Sequence, residues 1–406
     1  MGREPLDRLD RFYTGGQPHH ASRPALNFEM AGGEVVPTPH GATLVLTRRY
    51  AWDALPAGAS FEAVRAAGWA PASLDTRLPD RAALCGLACI DIETTGLSLG
   101  AGTVAFLVGV IHGEETGAVL KQFLIRDFPE EAAQQTLLAE HMGRFEVLCT
   151  YNGARFDLPI LRSRAIMHRI DAPWLEHPHL DLLYPVRSVW RKIWPDCRLA
   201  TAEMRLLGVV RHQDCEGWEV PLRFRQFLHD QSEATLADVL EHNAQDLVSL
   251  YCLTAALLRL YSDDFAGFGL SQSELLCLAR SVYARGRRDT GLRLYAHACN
   301  MGRLDPEFDR HMRHYVRLLK KQSLWDEARR VWQNMAASST GADRFWAFLE
   351  EAKFLEHRLK VPAAALEATL RAADELAAFT DRELRSRLAD EVRLREIRLR
   401  RMQKPG

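Results

Sequence analysis

The sequence lacks the features that mark several classes of protein. No uninterrupted apolar run reaches the ~20 residues that a helix needs to span a bilayer. The first residues, MGREPLDRLDRFYTGG, contain no apolar core, so we expect no signal peptide, no membrane attachment and a cytoplasmic location. With 26 glycines and 18 prolines in 406 residues, the chain is neither collagen-like nor of low complexity.

The spacing of the cysteines and the net charge do not indicate a specialised class of protein either. The eight cysteines form no C-x-x-C pair, which argues against a zinc ribbon and favours reduced, buried thiols. The formal net charge of −1 offers no whole-molecule reason to bind nucleic acid, so any such surface must be local. A hydrophobic content of 47% and a length equal to two or three domains of about 150 residues predict an ordinary globular chain.

The first two thirds of the chain change from an irregular to an alternating pattern. Residues 1–80 are predicted to be a partly ordered N-terminal extension with one strand pair, near residues 33–36 and 42–47. Residues 81–262 alternate strand and helix patterns, which predicts an α/β domain with a mixed five-stranded sheet flanked by helices on both faces. The expected strands lie near residues 84–92, 103–111, 119–125, 147–151 and 179–184, and the expected helices near residues 129–142, 158–170 and 233–261, the last capped by Ser232.

The last third has no strand pattern. Residues 270–380 are predicted to be all-helical, and Gly291, Ala328 and Ala365 recur at intervals of 37 residues. This resembles the paired helices of tetratricopeptide repeats, although their usual period is about 34, and an ordinary helical bundle is the alternative. Residues 381–406 form a basic tail with nine Lys or Arg against five Asp or Glu, typical of a solvated terminal helix.

Three short motifs in the α/β part carry side chains suited to chemistry. The first is DIETTG, in which Asp91 and Glu93 are two residues apart on a strand, and therefore project from the same face about 7 Å apart. Two carboxylates in this arrangement repel each other unless a cation lies between them. Hard oxygen donors suit Mg²⁺ or Mn²⁺.

The second and third motifs supply further polar side chains at the ends of elements. YNGARFD follows a strand and ends on Asp157 at the start of a helix, where an aspartate also serves as a cap. HNAQD places His242 and Asp246 four residues apart, on one face of the long predicted helix, beside an apolar stripe. Each motif alone has a structural explanation, either a cap or a histidine–aspartate hydrogen bond.

The ordered set of three motifs resembles the DEDD superfamily of ribonuclease H-like nucleases. The strings TTGLSLGAGTVAFLVG and CRLATAEMRLLGVVR look like its YprB-like bacterial branch, whose members carry C-terminal tetratricopeptide-like helices. The resemblance implies that Asp91, Glu93, Asp157 and Asp246 hold two divalent ions, Mg²⁺ or Mn²⁺. His242 stands where the family has its general base or water-orienting residue, at the spacing that members with tyrosine use.

The same resemblance implies a function and further contacts. The expected activity is a two-metal-ion hydrolysis of phosphodiester bonds in DNA or RNA, with 3′→5′ exonuclease polarity on single-stranded ends. Asn152, Phe156, Thr94 and Arg155 are the expected substrate contacts, with Phe156 stacking on a base. Arg162, Arg164 and Arg169 are further candidates for phosphate binding or are solvated helix residues.

Two other functions compete with this prediction. The chain could be a catalytically silent nuclease-like scaffold whose helical region binds a protein partner. Retention of all four carboxylates argues against that loss of activity. A nucleotide-using transferase or switch is a weaker alternative, because the sequence has no G-x-x-x-x-G-K-[ST] loop.

Overall fold

The computed structural model describes residues 33–56, 61–96, 102–211, 217–262, 265–305 and 307–403. Residues 1–32 of the predicted extension, 97–101 after the first acidic pair and 404–406 of the basic tail lie outside this set. The described part is a mixed sheet flanked by helices and followed by an all-helical region, which confirms the predicted fold class.

The sheet contains seven strands in the order β1-β2-β5-β4-β3-β6-β7. The first four neighbouring pairs are antiparallel, and β3, β6 and β7 run parallel to one another. The strand bounds are β1 Gly33–Thr38, β2 Gly41–Ala51, β3 Leu87–Thr94, β4 Ala105–Glu114, β5 Gly117–Leu124, β6 Val147–Thr150 and β7 His179–Asp181.

Strands β3 to β7 are the five that the sequence predicts, and the N-terminal hairpin adds two more. Strand β2 pairs antiparallel with β5 from Leu44, opposite Leu124, to Ala51, opposite Gly117. The buried hydroxyl of Thr43 also donates a hydrogen bond of 2.8 Å to the carbonyl of Leu124. The predicted number of strands in the sheet, five, was therefore too low. A local pattern does not reveal that a hairpin pairs with a strand about 70 residues later.

Helices cover both faces of this sheet. They are α1 Glu62–Ala67, α2 Glu131–Met142, α3 Asp157–His168, α4 Leu183–Trp190, α5 Leu199–Ala202, α6 Val220–Asp230 and α7 Ala237–Tyr261. The long predicted helix starts with a 3₁₀ turn over Glu233–Leu236, and the side chain of Ser232 makes no capping hydrogen bond there.

Helix α7 lies unusually close to the middle of the sheet. Gly109 on β4 permits this approach, because a Cβ atom placed there would lie 2.2 Å from Leu247 Cδ1 and 2.3 Å from Asn243 Oδ1. Both contacts belong to α7, and Leu247 and Asn243 are fully buried. A glycine in this strand is therefore a condition for the helix position.

The C-terminal region consists of successive helices. They are α8 Gln272–Ala284, α9 Arg288–Asn300, α10 Phe308–Lys321, α11 Trp325–Ser338, α12 Gly341–His357, α13 Pro362–Asp374 and α14 Arg382–Met402. The small residues Gly291, Ala328 and Ala365 are all buried, and a Cβ atom on Gly291 would lie 2.7 Å from Tyr283 Cβ. The tetratricopeptide assignment stays a prediction. Within the described ranges, no helix combines the length and apolarity needed to cross a membrane.

The basic tail is a helix that packs on this region. Val392 and Leu399 of α14 are buried, and the guanidinium groups of Arg395 and Arg398 both pair with Glu356. Part of the positive charge of the tail is therefore neutralised inside the molecule.

Substitution of Gly109 tests the close approach of α7. We expect Gly109→Ala to lower the free energy of unfolding by about 1–3 kcal/mol, as overpacking of a filled core usually does. Urea denaturation of the purified protein measures this change. Gly102→Ala is the matched control, since a Cβ atom there meets nothing within 4 Å. Equal stability of the two variants would contradict the packing argument.

Candidate active site

The first motif lies where β3 extends past its parallel neighbour. Strand β3 pairs with β6 only as far as Cys89, opposite Cys149. The last residues of β3 therefore have an open edge on that side, and Asp91 and Glu93 project from one face of this extension. On the other side Asp91 is paired with Gly109 of β4, the position against which α7 packs.

A chain of amide side chains positions Asp91. The Nδ2 group of Asn243 on α7 donates a hydrogen bond of 2.8 Å to Asp91 Oδ2. Asn243 is itself held by Gln122 of β5, whose Nε2 donates to Asn243 Oδ1 at 2.9 Å and to the carbonyl of Leu240 at 2.8 Å. Sequence analysis missed Asn243 and Gln122. The one available signal was the place of Asn243 immediately after His242.

The second motif forms a tight loop between β6 and α3, ordered by a carboxylate that sequence analysis also missed. Asp181, at the end of β7, accepts hydrogen bonds from the backbone N–H groups of Asn152 at 2.8 Å and Ala154 at 3.3 Å. Asn152 has a left-handed φ of 69°, a conformation that asparagine tolerates better than most residues. The available signal was an aspartate at a strand end directly before a helix.

Asp157 begins α3 and is buried beneath that loop. Desolvation raises the pKa of its carboxyl group from 3.8 to about 7, although hydrogen bonds from its own N–H and that of Ile92 lower it. The Ile92 N–H belongs to the stretch of β3 that extends past β6. Asp157 therefore faces the end of β3.

The third motif brings α7 to the same place. His242 Nε2 lies 3.8 Å from Glu93 Oε1 and 3.8 Å from Asp246 Oδ2. The side chain of His242 therefore lies between Glu93 of β3 and Asp246 of α7. These distances are too long for direct hydrogen bonds, but they place the imidazole among the carboxylates.

Asp246 has a cationic partner that sequence analysis missed. Arg211 Nη2 lies 2.5 Å from Asp246 Oδ1. The same guanidinium pairs with Glu203, a fully buried residue of the π-helical turn Glu203–Leu207, at 2.7 Å. Gln245 of α7 also donates to Glu203. Nothing in the local pattern around Arg211 indicates this contact.

The electrostatics show that the four acidic residues lie near one another. Burial raises the pKa of Asp91 far above its usual range, and the charges of Asp246, Glu93 and Asp157 raise it further. The hydrogen bond from Asn243 opposes this effect. Among the residues that the structure describes, however, no three His, Cys, Asp or Glu side chains are arranged as a ready-made metal cage.

The expected substrate contacts surround this cluster. Phe156 is 47% exposed and Arg155 is exposed, while Asn152 is half-buried in the loop. Thr94 donates its hydroxyl to the carbonyl of Gly96 at 2.7 Å and so shapes the turn after β3.

The arginines of α3 divide into two groups. Arg164 is buried and forms two hydrogen bonds of 2.5 Å with Glu131, and Arg162 pairs with Glu176. These two are occupied by protein carboxylates. Arg169, at the end of α3, is exposed.

Comparison with known proteins agrees with the fold. Residues 88–258 match the family model RNase_H_2 of the RNase_H superfamily, so this part of the chain has a ribonuclease H-like fold. That superfamily indicates an enzyme that hydrolyses nucleic acid.

Two particular proteins are similar to this chain. Over 297 residues, the chain is 29% identical to the uncharacterized protein YprB of Bacillus subtilis, covering 72% of this chain and 70% of that protein. A family B DNA polymerase from the archaeon Pyrobaculum calidifontis matches at 15% identity with a TM-score of 0.34, covering 50% of this chain and 29% of the polymerase. A similarity that weak supports no inference.

The raised pKa of Asp157 predicts a pH-dependent effect on stability in EDTA. A buried carboxyl group whose pKa is higher in the folded chain destabilises that chain when ionised, fully above about pH 7 and progressively less as the pH falls toward 3.8. We therefore expect Asp157→Asn to raise the free energy of unfolding at about pH 8, by at most ~4 kcal/mol at ~1.4 kcal/mol per pKa unit, and to raise it less at about pH 5.

Urea denaturation at the two pH values checks this expectation. Asp171→Asn, in the exposed loop after α3, is the control and should change stability little at either pH. A gain for Asp157→Asn that is the same at both pH values would contradict the raised pKa, because it would mean that the carboxyl group is ionised to the same extent at pH 5 and pH 8.

Proposed function

We propose that this chain is a metal-dependent nuclease that hydrolyses phosphodiester bonds as a 3′→5′ exonuclease on single-stranded DNA or RNA ends. The observation that carries the proposal is the meeting of three motifs, distant in sequence, around the end of β3. There the charges of Glu93, Asp157 and Asp246 all act on the half-buried Asp91. Concentration of negative charge at a buried site is unfavourable unless cations neutralise it.

The donor set fits divalent cations. Asp91, Glu93, Asp157 and Asp246 offer only hard carboxylate oxygens, which Mg²⁺ and Mn²⁺ prefer, and we propose that they hold two such ions. When bound, the ions would lower the pKa of a water molecule and stabilise the charge of the leaving oxygen. The mutual repulsion that raises the pKa of Asp91 supports this assignment.

The surrounding side chains have separate roles in the proposed reaction. His242 would accept a proton from the attacking water at Nε2, the atom that lies 3.8 Å from both Glu93 and Asp246. Asn243 would keep the Asp91 carboxylate in one orientation. Asn152, Arg155 and the exposed ring of Phe156 would hold the terminal nucleotide, the ring by stacking on its base.

One observation favours the alternative of a catalytically silent scaffold. The ion pair between Arg211 and Asp246 already gives one carboxylate of the set a cation, and a metal ion would have to compete with it. Thermal unfolding with Mn²⁺ distinguishes the two functions. An active site should be stabilised by millimolar Mn²⁺, whereas a silent domain should show no shift.

Removal of a carboxylate tests the nuclease assignment directly. We expect Asp91→Asn and Asp246→Asn each to abolish hydrolysis of end-labelled single-stranded DNA and RNA in Mg²⁺ or Mn²⁺, because each loses a charged oxygen ligand. The parent protein should produce a ladder shortening from the 3′ end. Asp171→Asn is the control and should cleave like the parent. Undiminished cleavage by purified Asp91→Asn would refute the assignment.

Substitution of His242 tests its role as the base. We expect His242→Ala to lower the rate by about 10²–10⁴-fold, and to remove the decline of the rate on the acidic side of its pH profile. His229→Ala, an exposed histidine at the end of α6, should leave the rate unchanged. A decrease of less than about threefold for His242→Ala would indicate a structural role.

A further inference from the structure

A basic groove lies where the helical region joins the α/β part. Its volume is about 410 Å³, and its walls come from helices α4, α8 and α10. Six exposed cationic side chains line it, namely Arg187, Arg191, Lys192, Arg280, Arg310 and Arg317. The motifs of the sequence analysis include none of them, because they lie on or directly after helices that are far apart in the sequence.

Most of this positive charge is not neutralised by the protein. The acidic residue lining the groove is Glu307, which pairs with Arg310 at 2.8 Å. The other five cations form no ion pair with any residue that the structure describes. In a chain whose formal net charge is −1, five such cations in one groove are a strong local excess.

One histidine of the groove, His314, responds to this excess. Burial lowers the pKa of His314, and the cations of Arg280 and Arg317 lower it further. Like charges crowded together cost free energy unless an anion binds them. The groove is therefore suited to a ligand with several regularly spaced negative charges.

Helix α4 connects the groove with the candidate active site. Asp181 Oδ1 accepts hydrogen bonds from the N–H of Asn152, in the second motif, and from the N–H of Leu183, the first residue of α4. Arg187 follows one helical turn later and is close enough to Tyr151 to lower the pKa of its hydroxyl, against the larger effect of burial. Tyr184, which is 50% exposed, lies on the same face of α4 as Arg187.

We propose that this groove binds the phosphate backbone of a single nucleic acid strand whose 3′ end lies at the site around Asp91. This inference rests on the proposed function and extends it by identifying where the body of the substrate binds. Sites for single strands combine a basic groove with exposed aromatic rings, here Tyr184 and Phe156. Five of the six cations are arginines, whose planar donors match phosphate oxygens.

Binding measured without hydrolysis tests the groove. The probe is a 20-nucleotide single strand with a 5′ fluorophore, titrated in EDTA and followed by anisotropy at several salt concentrations. We expect the variant Arg280→Gln/Arg317→Gln to raise Kd about tenfold. The slope of log K against log salt should fall by about 1.4, at about 0.7 for each phosphate that the variant no longer neutralises.

The matched control is Arg385→Gln/Arg393→Gln, which removes two exposed arginines of α14 and the same net charge. Its Kd and its salt slope should equal those of the parent. Equal weakening of binding in the two double variants would overturn the proposal, since it would reflect net charge alone. If the first variant fails to fold by circular dichroism, Arg191→Gln/Lys192→Gln in the other wall is measured in its place, with the same expectation.

Hydrolysis of a small diester separates this inference from the proposed function. The groove variant should hydrolyse bis(p-nitrophenyl) phosphate with Mn²⁺ as fast as the parent, because that substrate is too short to reach α8 or α10. A parent that hydrolyses nothing, yet binds the strand through the groove, would refute only the proposed function. Unchanged strand binding by the variant would refute only the groove. Displacement of the strand by an equal concentration of an acidic peptide would also refute it, and would indicate a protein partner.

Discussion

The position of helix α7 against the sheet is the constraint on which the candidate site depends. Gly109 has no side chain, so Leu247 and Asn243 occupy the space above it. From there the amide of Asn243 reaches Asp91, and His242 reaches toward Glu93. A larger residue at position 109 would move α7 away from the sheet. It would thereby separate Asp246, on α7, from Asp91 and Glu93, on β3.

The gathering of one buried and three half-buried carboxylates in one place has an energetic consequence. Their mutual repulsion and their desolvation disfavour the ionised forms, as the raised pKa of Asp91 shows. The described part of the chain brings Arg211 to Asp246 and His242 between Asp246 and Glu93. These contacts offset part of the repulsion, and the remainder supports the proposal that the cluster binds cations.

The carboxylate of Asp181 connects the second motif to helix α4. Asp181 orders the loop of the second motif and also accepts from the first residue of α4. Helix α4 in turn packs on α8, and Ser188, Tyr261 and Ser281 are joined by hydrogen bonds of 2.7–3.0 Å at that junction. The basic groove lies along this same junction, so its walls and the second motif are held by shared contacts.

Local sequence patterns alone determined the five strands β3 to β7, the long helix, and the faces that the motif residues share. These follow from side-chain periods of about 2 in strands and 3.6 in helices, which neighbouring residues define. Only the tertiary structure decided the pairing of β2 with β5, the hydrogen bond from Asn243 to Asp91, and the ion pair from Arg211 to Asp246. Each of these joins residues far apart in the chain or orients one side chain toward another, and no periodicity encodes that choice.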